Sequence, residues 1–248
     1  MNIMITGYGR MGHEIEQILI QRGHNISCRV DKSGKADAIE VTLELLKNVD
    51  AVIEFALPNG MEDRIKVYTE AKVPVIIGNT GWLENLEKFK TIVEDGNGTF
   101  LYGTNFSVGV HMFWKVVSEA SSLINSTPEY DIMALEYHHK LKIDSPSGTA
   151  ITTAEKILEN CNKKTKIWTD KLDRKIEDNE LHVASVRGGS IPGTHTVTLD
   201  SPSDSIEITH RARNRSGFAL GAVMAAEWIV GKTGFFRVED FFEDLLNR

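Results

Sequence analysis

The chain opens MNIMITGYGRMG, and no other stretch constrains its fold as much. Asn2 to Thr6 is a short apolar run, glycines follow at 7, 9 and 12, and Ile15, Ile18 and Leu19 then recur at helical spacing. That order predicts strand, glycine turn, helix. Gly7-Tyr8-Gly9-Arg10-Met11-Gly12 matches GxGxxG in the context that gives the pattern meaning. The first glycine permits a tight turn, the second lets backbone approach a pyrophosphate, and the third lets helix and strand pack closely. The phosphates of a dinucleotide would meet N–H groups at a helix N-terminus. The pattern asks for an acid roughly 20 residues on, and Asp31 stands there, ending a second apolar run from Ile26 to Val30. Asp31 suits ribose hydroxyls and so NAD, whereas the adjacent Lys32 suits a 2′-phosphate and so NADP. The pair leaves NADH and NADPH both open.

The same grammar continues to about residue 105. Leu43 to Lys47 reads as helical, Asp50 to Ala56 as a strand broken by Pro58-Asn59-Gly60, and residues 61 to 71 as a helix. Val73 to Ile77 is a fourth strand, Leu83 to Val93 a helix and Thr99 to Tyr102 a fifth strand. Strands alternating with helices predict a Rossmann-like, doubly wound parallel sheet. Ligands in such sheets bind beyond the carboxyl ends of the strands. The loops Gly78-Asn79-Thr80-Gly81 and Gly103-Thr104-Asn105-Phe106 are therefore candidate walls of a nicotinamide pocket.

After Asn105 the pattern changes. A long helix over Val108 to Ile124 precedes a strand over Asp131 to Tyr137 and a helix over Thr149 to Leu158. His182 to Val186, His195 to Ser201 and Ser205 to Arg211 then follow as strands with no helix between them. This predicts a second α+β domain with a mixed or antiparallel sheet. Helices over Phe218 to Val230 and Val238 to Leu246 end the chain. The expected organisation is residues 1–107 and 216–248 for dinucleotide binding and 108–215 for the second domain.

The segment EYHHKLKIDSPSGTA, residues 136 to 150, carries the chemistry of that second domain. If residues 131 to 142 stay extended, Glu136, His138, Lys140 and Lys142 share one face and His139 points away. Imidazole exchanges protons near neutral pH, and lysine holds carboxylates. A serine N-cap, with Pro146 just inside the start, opens the next helix. Its first N–H groups, near Gly148 and Thr149, attract an anion. On local physics alone, a solvated turn before a common helix start fits the segment equally well.

Composition narrows the classes. Net charge is −7, which argues against a nucleic-acid binder. The two cysteines, Cys28 and Cys161, lack ligand spacing, and adjacent histidines on a strand chelate one metal poorly, so no metal site is expected. No apolar run has membrane-spanning length, and the start lacks the charged region of a signal peptide, so a cytoplasmic protein is expected.

HHKLKIDSPSGTA resembles the signature of the dihydrodipicolinate (4-hydroxy-tetrahydrodipicolinate) reductase family. GYGRMG, GNTG at 78–81, TNFSVGV at 104–110, RGG…GTH at 187–195 and EITHRARNR at 207–215 follow in the family's order, so the resemblance spans nearly the whole chain. It implies NADH- or NADPH-dependent reduction of a small cyclic dicarboxylate in diaminopimelate and lysine biosynthesis, by a homotetramer assembled through the central domain. Carried over by position, it implies His138 as proton donor and acceptor and Lys142 as a second catalytic group. His139, Gly148 and Thr149 correspond to substrate binders. Gly7, Tyr8, Gly9, Arg10, Met11, Gly12, Asp31, Lys32, Gly78, Asn79, Thr80, Gly103, Thr104, Asn105 and Phe106 correspond to cofactor contacts, and Arg215 to a residue closing on substrate.

The sequence departs from the family pattern in a glycine turn one residue shorter than GxxGxxG, in Asn79 where Thr is common, and in Asp31-Lys32 for the frequent Glu-Arg. The last change bears on cofactor preference, not on reaction class. Two rival readings fit the residues less well. Another two-domain NAD(P) dehydrogenase of amino-acid metabolism would need a nucleophilic cysteine if thioester-type, and would lack PSGTA after a His-Lys strand if homoserine-type. A non-catalytic nucleotide-sensing module would have no use for His138 and Lys142. Arg10, Arg187, His195 and Arg211 fit either as ligand contacts or as braces of loops.

Overall fold

The computed structural model describes residues 1–247 and divides into two compact units, Met1–Val108 with Arg215–Arg248, and Gly109–Asn214. In the first unit the chain runs β1 (Asn2–Thr6), α1 (Arg10–Gln21), β2 (Asn25–Val30), β3 (Ala51–Glu54), α2 (Met61–Ala71), β4 (Val75–Ile77), α3 (Leu86–Asp95) and β5 (Thr99–Tyr102). The second unit holds α4 (Val108–Leu123), β6 (Asp131–His138), α5 (Gly148–Asn160), β7 (Lys166–Trp168), β8 (Glu180–Arg187), β9 (Thr194–Asp200) and β10 (Ser205–Arg211). The chain then returns to the first unit with α6 (Ser216–Ile229), β11 (Gly234–Arg237) and α7 (Val238–Leu246).

The first sheet has order β11-β5-β4-β3-β1-β2, and every pairing is parallel. Its strands read as continuous apolar runs because both faces are covered. Ile3, Ile5, Ile53, Ile76 and Leu101 point to one face and pack with α1, α6 and α7. Their neighbours Met4, Val52, Val75, Ile77 and Phe100 point to the other, toward α2 and α3. The alternation of the pleat thus sorts one apolar string into two cores. Residues 43–48 form turns rather than the expected helix. β7 and β11 were not foreseen, since a three- or four-residue strand carries too little periodicity to register.

The second sheet has order β10-β9-β6-β8-β7 and is mixed. β6 is central, antiparallel to β9 and parallel to β8. Ile132, Ala134, Leu181, Val183, Val197 and Leu199 form its inner face, packed with residues of α4 and α5. β6 ends at His138, and the chain then turns. The four-residue face expected on an extended 131–142 segment therefore holds only for Glu136 and His138. The helix cap also differs from expectation. Ser147 caps α5, which starts at Gly148, and Pro146 lies outside the helix behind a cis peptide bond.

Gly221 tests how tightly α6 seats on the first unit. A methyl group added there would lie 1.7 Å from the Phe106 carbonyl oxygen, a backbone atom that cannot swing away. Gly221→Ala is expected to cost about 3 kcal/mol by forced displacement of the helix. Urea unfolding measures it; an unchanged midpoint would show that the helix shifts at no cost.

Candidate active site

In the first unit the glycine turn divides its work as the motif requires. Gly7 has φ +90°, and a Cβ there would lie 2.3 Å from the Ala56 nitrogen. Gly12 passes against Gly7, whose carbonyl oxygen would be 2.5 Å from an added Cβ. Gly9 has no atom within 4 Å of that position, so its surroundings are open where a phosphate would lie. Asp31 ends beside the turn, with Oδ2 accepting from the Tyr8 N–H at 2.8 Å and Oδ1 from the Ser33 N–H at 2.8 Å. Hydrogen bonds from the Ser33 side chain and backbone hold its carboxyl below the usual range.

A cleft of about 330 Å³ opens here, lined by Gly7, Asp31, Lys32, Ala56, Gly60 and Arg64 among others. Its Arg64 wall is fixed from below: the buried Glu54 carboxylate accepts from Arg64 Nε at 3.0 Å, Arg64 Nη2 at 2.7 Å and the Tyr68 hydroxyl at 2.8 Å. A second cleft, about 260 Å³, is lined by Met11, Phe55, Gly78, Thr104, Phe106, Arg215 and Phe218. Of the candidate cofactor residues, Gly7, Asp31 and Lys32 line the first cleft and Met11, Gly78, Thr104 and Phe106 the second. Gly78 and Gly103 are demanded by packing, since an added Cβ would strike the Phe55 ring at 2.1 Å and Val238 at 2.4 Å. Asn79 donates to the Ala56 carbonyl, and its buried Oδ1 has no hydrogen-bond partner. An open glycine turn, a carboxylate beside it and an unsatisfied buried acceptor fit a dinucleotide.

In the second unit strand register assembles the site. Glu136 on β6 pairs with His195 on β9 and with Ser185 on β8, while His138 pairs with Arg187. Cross-strand partners share a face. Glu136 is wholly buried. Its Oε1 accepts from the Ser147 N–H (2.9 Å), Ser185 Oγ (2.9 Å) and Arg187 Nη2 (2.7 Å), and its Oε2 from the Ser147 hydroxyl. His138 Nδ1 lies 3.2 Å from the same Oε2 without a formed hydrogen bond, and His195 Nδ1 lies at 3.8 Å. On the other side of the His138 ring Gly193 packs against Nε2: a Cβ there would sit 2.9 Å from it, so a side chain at 193 would collide with the ring.

The turn after β6 is pinned to the loop between β8 and β9. The His139 N–H donates to the Ile191 carbonyl at 2.8 Å, and the Gly188 N–H to the His138 carbonyl at 2.9 Å. Arg187 Nη2 also donates to the Asp144 carbonyl at 2.6 Å. This turn carries Lys142, whose Nζ lies 2.8 Å from Asp144 Oδ1. The turn, rather than strand alternation, brings Lys142 within charge range of His138 and His195. Ser147 Oγ caps α5 by accepting from the Ala150 N–H at 3.2 Å, and Gly148 has open space around its Cα.

Burial opposes charge throughout the cluster. It acts to raise the Glu136 pKa, but hydrogen bonds from Ser147, Arg187 and Ser185 outweigh it and hold the group at about 2. Burial lowers the His138 pKa; Glu136 resists, while Lys142 and Arg187 add to the lowering. Burial takes His195 to about 4. Ligand atoms of Glu136, His138 and His195 lie within 4.8 Å of one another, a spacing a metal ion would tolerate. The carboxylate, however, already carries four donors, one of them a guanidinium, which makes this a hydrogen-bonding hub.

Sequence models of one family match both halves of the chain: dihydrodipicolinate reductase, N-terminus, over residues 1–106, and dihydrodipicolinate reductase, C-terminus, over residues 109–242. The chain belongs to the dihydrodipicolinate reductase family. It is 42% identical over 245 residues to the 4-hydroxy-tetrahydrodipicolinate reductase of Christiangramia forsetii, covering 99% of each chain. It is 32% identical over 253 residues to that of Rickettsia bellii, covering 100% of this chain and 96% of the relative. Among solved structures it shares its fold with a dipicolinate-bound dihydrodipicolinate reductase from Paenisporosarcina sp. TG-14, with TM-score 0.75 and 20% identity over 95% of this chain and 97% of that one. A probable dehydrogenase from Thermotoga maritima has TM-score 0.60 and 13% identity over 99% and 94%.

For this member of the reductase family, sequence reasoning missed Ser147, Ser185 and Gly193, and left Arg187 and His195 open. For Ser185, Arg187 and His195 only strand pairing could reveal the role, because they are dozens of residues from Glu136 and His138 and adjacent to them in the sheet.

The depressed pKa values fix a stability profile. His195 binds its proton near pH 4 folded and near 6.5 unfolded, so between these values the unfolded chain binds more protons and stability falls as pH falls. Glu136 extends the loss from about 4.5 down through about 2. His195→Gln is expected to flatten the upper window, measured as urea midpoint against pH. Equal slopes for variant and wild type between pH 6.5 and 4 would refute it.

Proposed function

We propose that the protein reduces 4-hydroxy-tetrahydrodipicolinate to tetrahydrodipicolinate, with loss of water, in diaminopimelate and lysine biosynthesis. The observation that carries this reading is the buried His138 imidazole, backed by Glu136 and within charge range of the Lys142 ammonium, in a chain that matches the reductase family along its length. The turn at Gly7, Tyr8, Gly9, Arg10, Met11 and Gly12 would hold the pyrophosphate of NADH or NADPH. Asp31 and Lys32 would meet the adenosine ribose, and Gly78 to Thr80 with Gly103 to Phe106 the nicotinamide side. When bound, the nicotinamide supplies the hydride.

The chain's own residues supply charge and a proton. Lys142, His139 and the helix start at Gly148 and Thr149 receive the two carboxylates of the substrate and orient its ring. His138 delivers a proton from Nε2 to the atom that accumulates the electron pair. The substrate's negative charge raises the imidazole's proton affinity against the burial that lowers it. Asp31 and Lys32 together accommodate either cofactor, because one accepts from ribose hydroxyls and the other neutralises phosphate.

Assembly as a homotetramer through the second unit is part of the same reading. Met133, Leu135, Tyr137, Ala184 and Val186 share the outer face of the second sheet, and Met133 is 41% and Val186 46% exposed. Another copy of that face would cover them. Two buried free thiols, Cys28 and Cys161, support a reducing, cytoplasmic setting. Among the described residues no helix is long and apolar enough to cross a membrane.

Loss of NAD(P)H absorbance with freshly generated substrate tests the activity. His138→Gln is expected to lower kcat by about 100-fold or more with KM little changed. Lys142→Ala is expected to lower kcat and raise KM together, and NADH and NADPH to give kcat/KM values within about tenfold of each other. Wild-type turnover by His138→Gln would sink the proton-transfer assignment.

A further inference from the structure

We infer that Glu136 is a positioning residue: its buried carboxylate fixes the orientation and tautomer of His138 and, through Ser147 and Arg187, locks the helix start and the Lys142 turn to the same point. The inference rests on the reading of His138 as proton carrier. Glu136 reaches no open space, being wholly buried among β6, β8, β9 and the start of α5. It therefore acts through the groups that touch it.

Each of its contacts ends on an element that the reaction uses. Ser147 donates to it twice, through backbone N–H and hydroxyl, and the same hydroxyl accepts from the Ala150 N–H at the first turn of α5. Arg187 donates one Nη2 to Glu136 and to the Asp144 carbonyl, two residues from Lys142. His138 Nδ1 stands 3.2 Å away, and a small ring rotation completes an Nδ1–H to Oε2 hydrogen bond. With Nδ1 so occupied, the exchangeable proton is confined to Nε2, the nitrogen against which Gly193 packs without a side chain. When the Nε2–H bond breaks and its proton passes to the substrate, the imidazolium becomes a neutral ring that keeps Nδ1–H toward the carboxylate.

The charges facing His138 come from every neighbouring strand and from the turn: Glu136 on its own strand, Arg187 on β8, His195 on β9, and Lys142 and Asp144. Among them the close negative charge is Glu136, at 3.2 Å. Removing it should make the ring harder to protonate, a change that damage to packing alone would not produce.

The experiment compares Glu136→Gln, Glu136→Asp and His138→Gln in the full-length enzyme, reading kcat and KM against pH. Glu136→Gln is expected to lower kcat about 100-fold at neutral pH and to move the high-pH limb of kcat downward by about one unit. Glu136→Asp, which keeps the charge, should restore the limb's position even where kcat stays reduced. An unmoved limb in Glu136→Gln overturns the inference while an inactive His138→Gln leaves the functional reading standing. If Glu136→Gln fails to fold, ¹⁵N NMR of histidine-labelled wild type decides: the His138 ring, assigned by the signals lost in His138→Gln, should be the Nδ1–H tautomer when neutral. An Nε2–H tautomer would overturn it.

Discussion

A buried carboxylate must be held by donors or else take up a proton. Glu136 is held by four: the backbone N–H and hydroxyl of Ser147 at the start of α5, and a hydroxyl and a guanidinium on β8. The second unit is organised around satisfying that group. Breaking any one donor leaves charge exposed to an apolar interior, so the network acts as a unit. Its geometry depends on register. β6 sits between β9 and β8, and a slip of one residue on either side would carry Ser185, Arg187 or His195 to the opposite face.

The two units solve the problem of placing polar groups in different ways. In the first, backbone does the work, with a glycine turn brought against Ala56 on one side and left open at Gly9. Side chains enter at Asp31, Lys32, the Asn79 loop and the Arg64 wall. In the second, side chains do the work and the backbone supplies alternation. This matches what each would bind on the proposed reading: a phosphate is met by helix-start amides, whereas a reacting ring needs a proton at a defined point.

Legibility in the sequence follows the same division. The glycine turn, Asp31 and the parallel sheet could be read because each is local: spacing within a few residues determines the conformation. The parallel order of the first sheet and the mixed character of the second followed from the succession of elements. His138 and Glu136 were readable as neighbours on one strand face. Lys142 was readable as a residue but not as a position, because the chain leaves extended geometry at His138 and the turn is set by contacts with the loop at 188–193. Ser147 was obscured by the more conspicuous Pro146 one residue earlier. Ser185 gave no local signal, and Arg187 and His195 stood in a motif without a role, since their meaning lies in which strand lies beside β6.

The surroundings of His138 give the proposed proton transfer its timing. Without substrate the ring faces burial, Lys142 and Arg187, all of which favour the neutral form, against the carboxylates of Glu136 and, more weakly, Asp144. A neutral ring cannot donate the proton that reduction requires. A dicarboxylate brings two negative charges toward Lys142 and the helix start, and by Coulomb's law it shifts the ring back toward the charged form. On this reading the acid is armed by the molecule it acts on. Glu136 alone could not serve that purpose: a counter-ion strong enough to keep the ring charged at rest would also make its proton harder to release. A carboxylate oxygen 3.2 Å from Nδ1, without a formed hydrogen bond, is consistent with a partner that orients the ring and leaves its charge to the substrate.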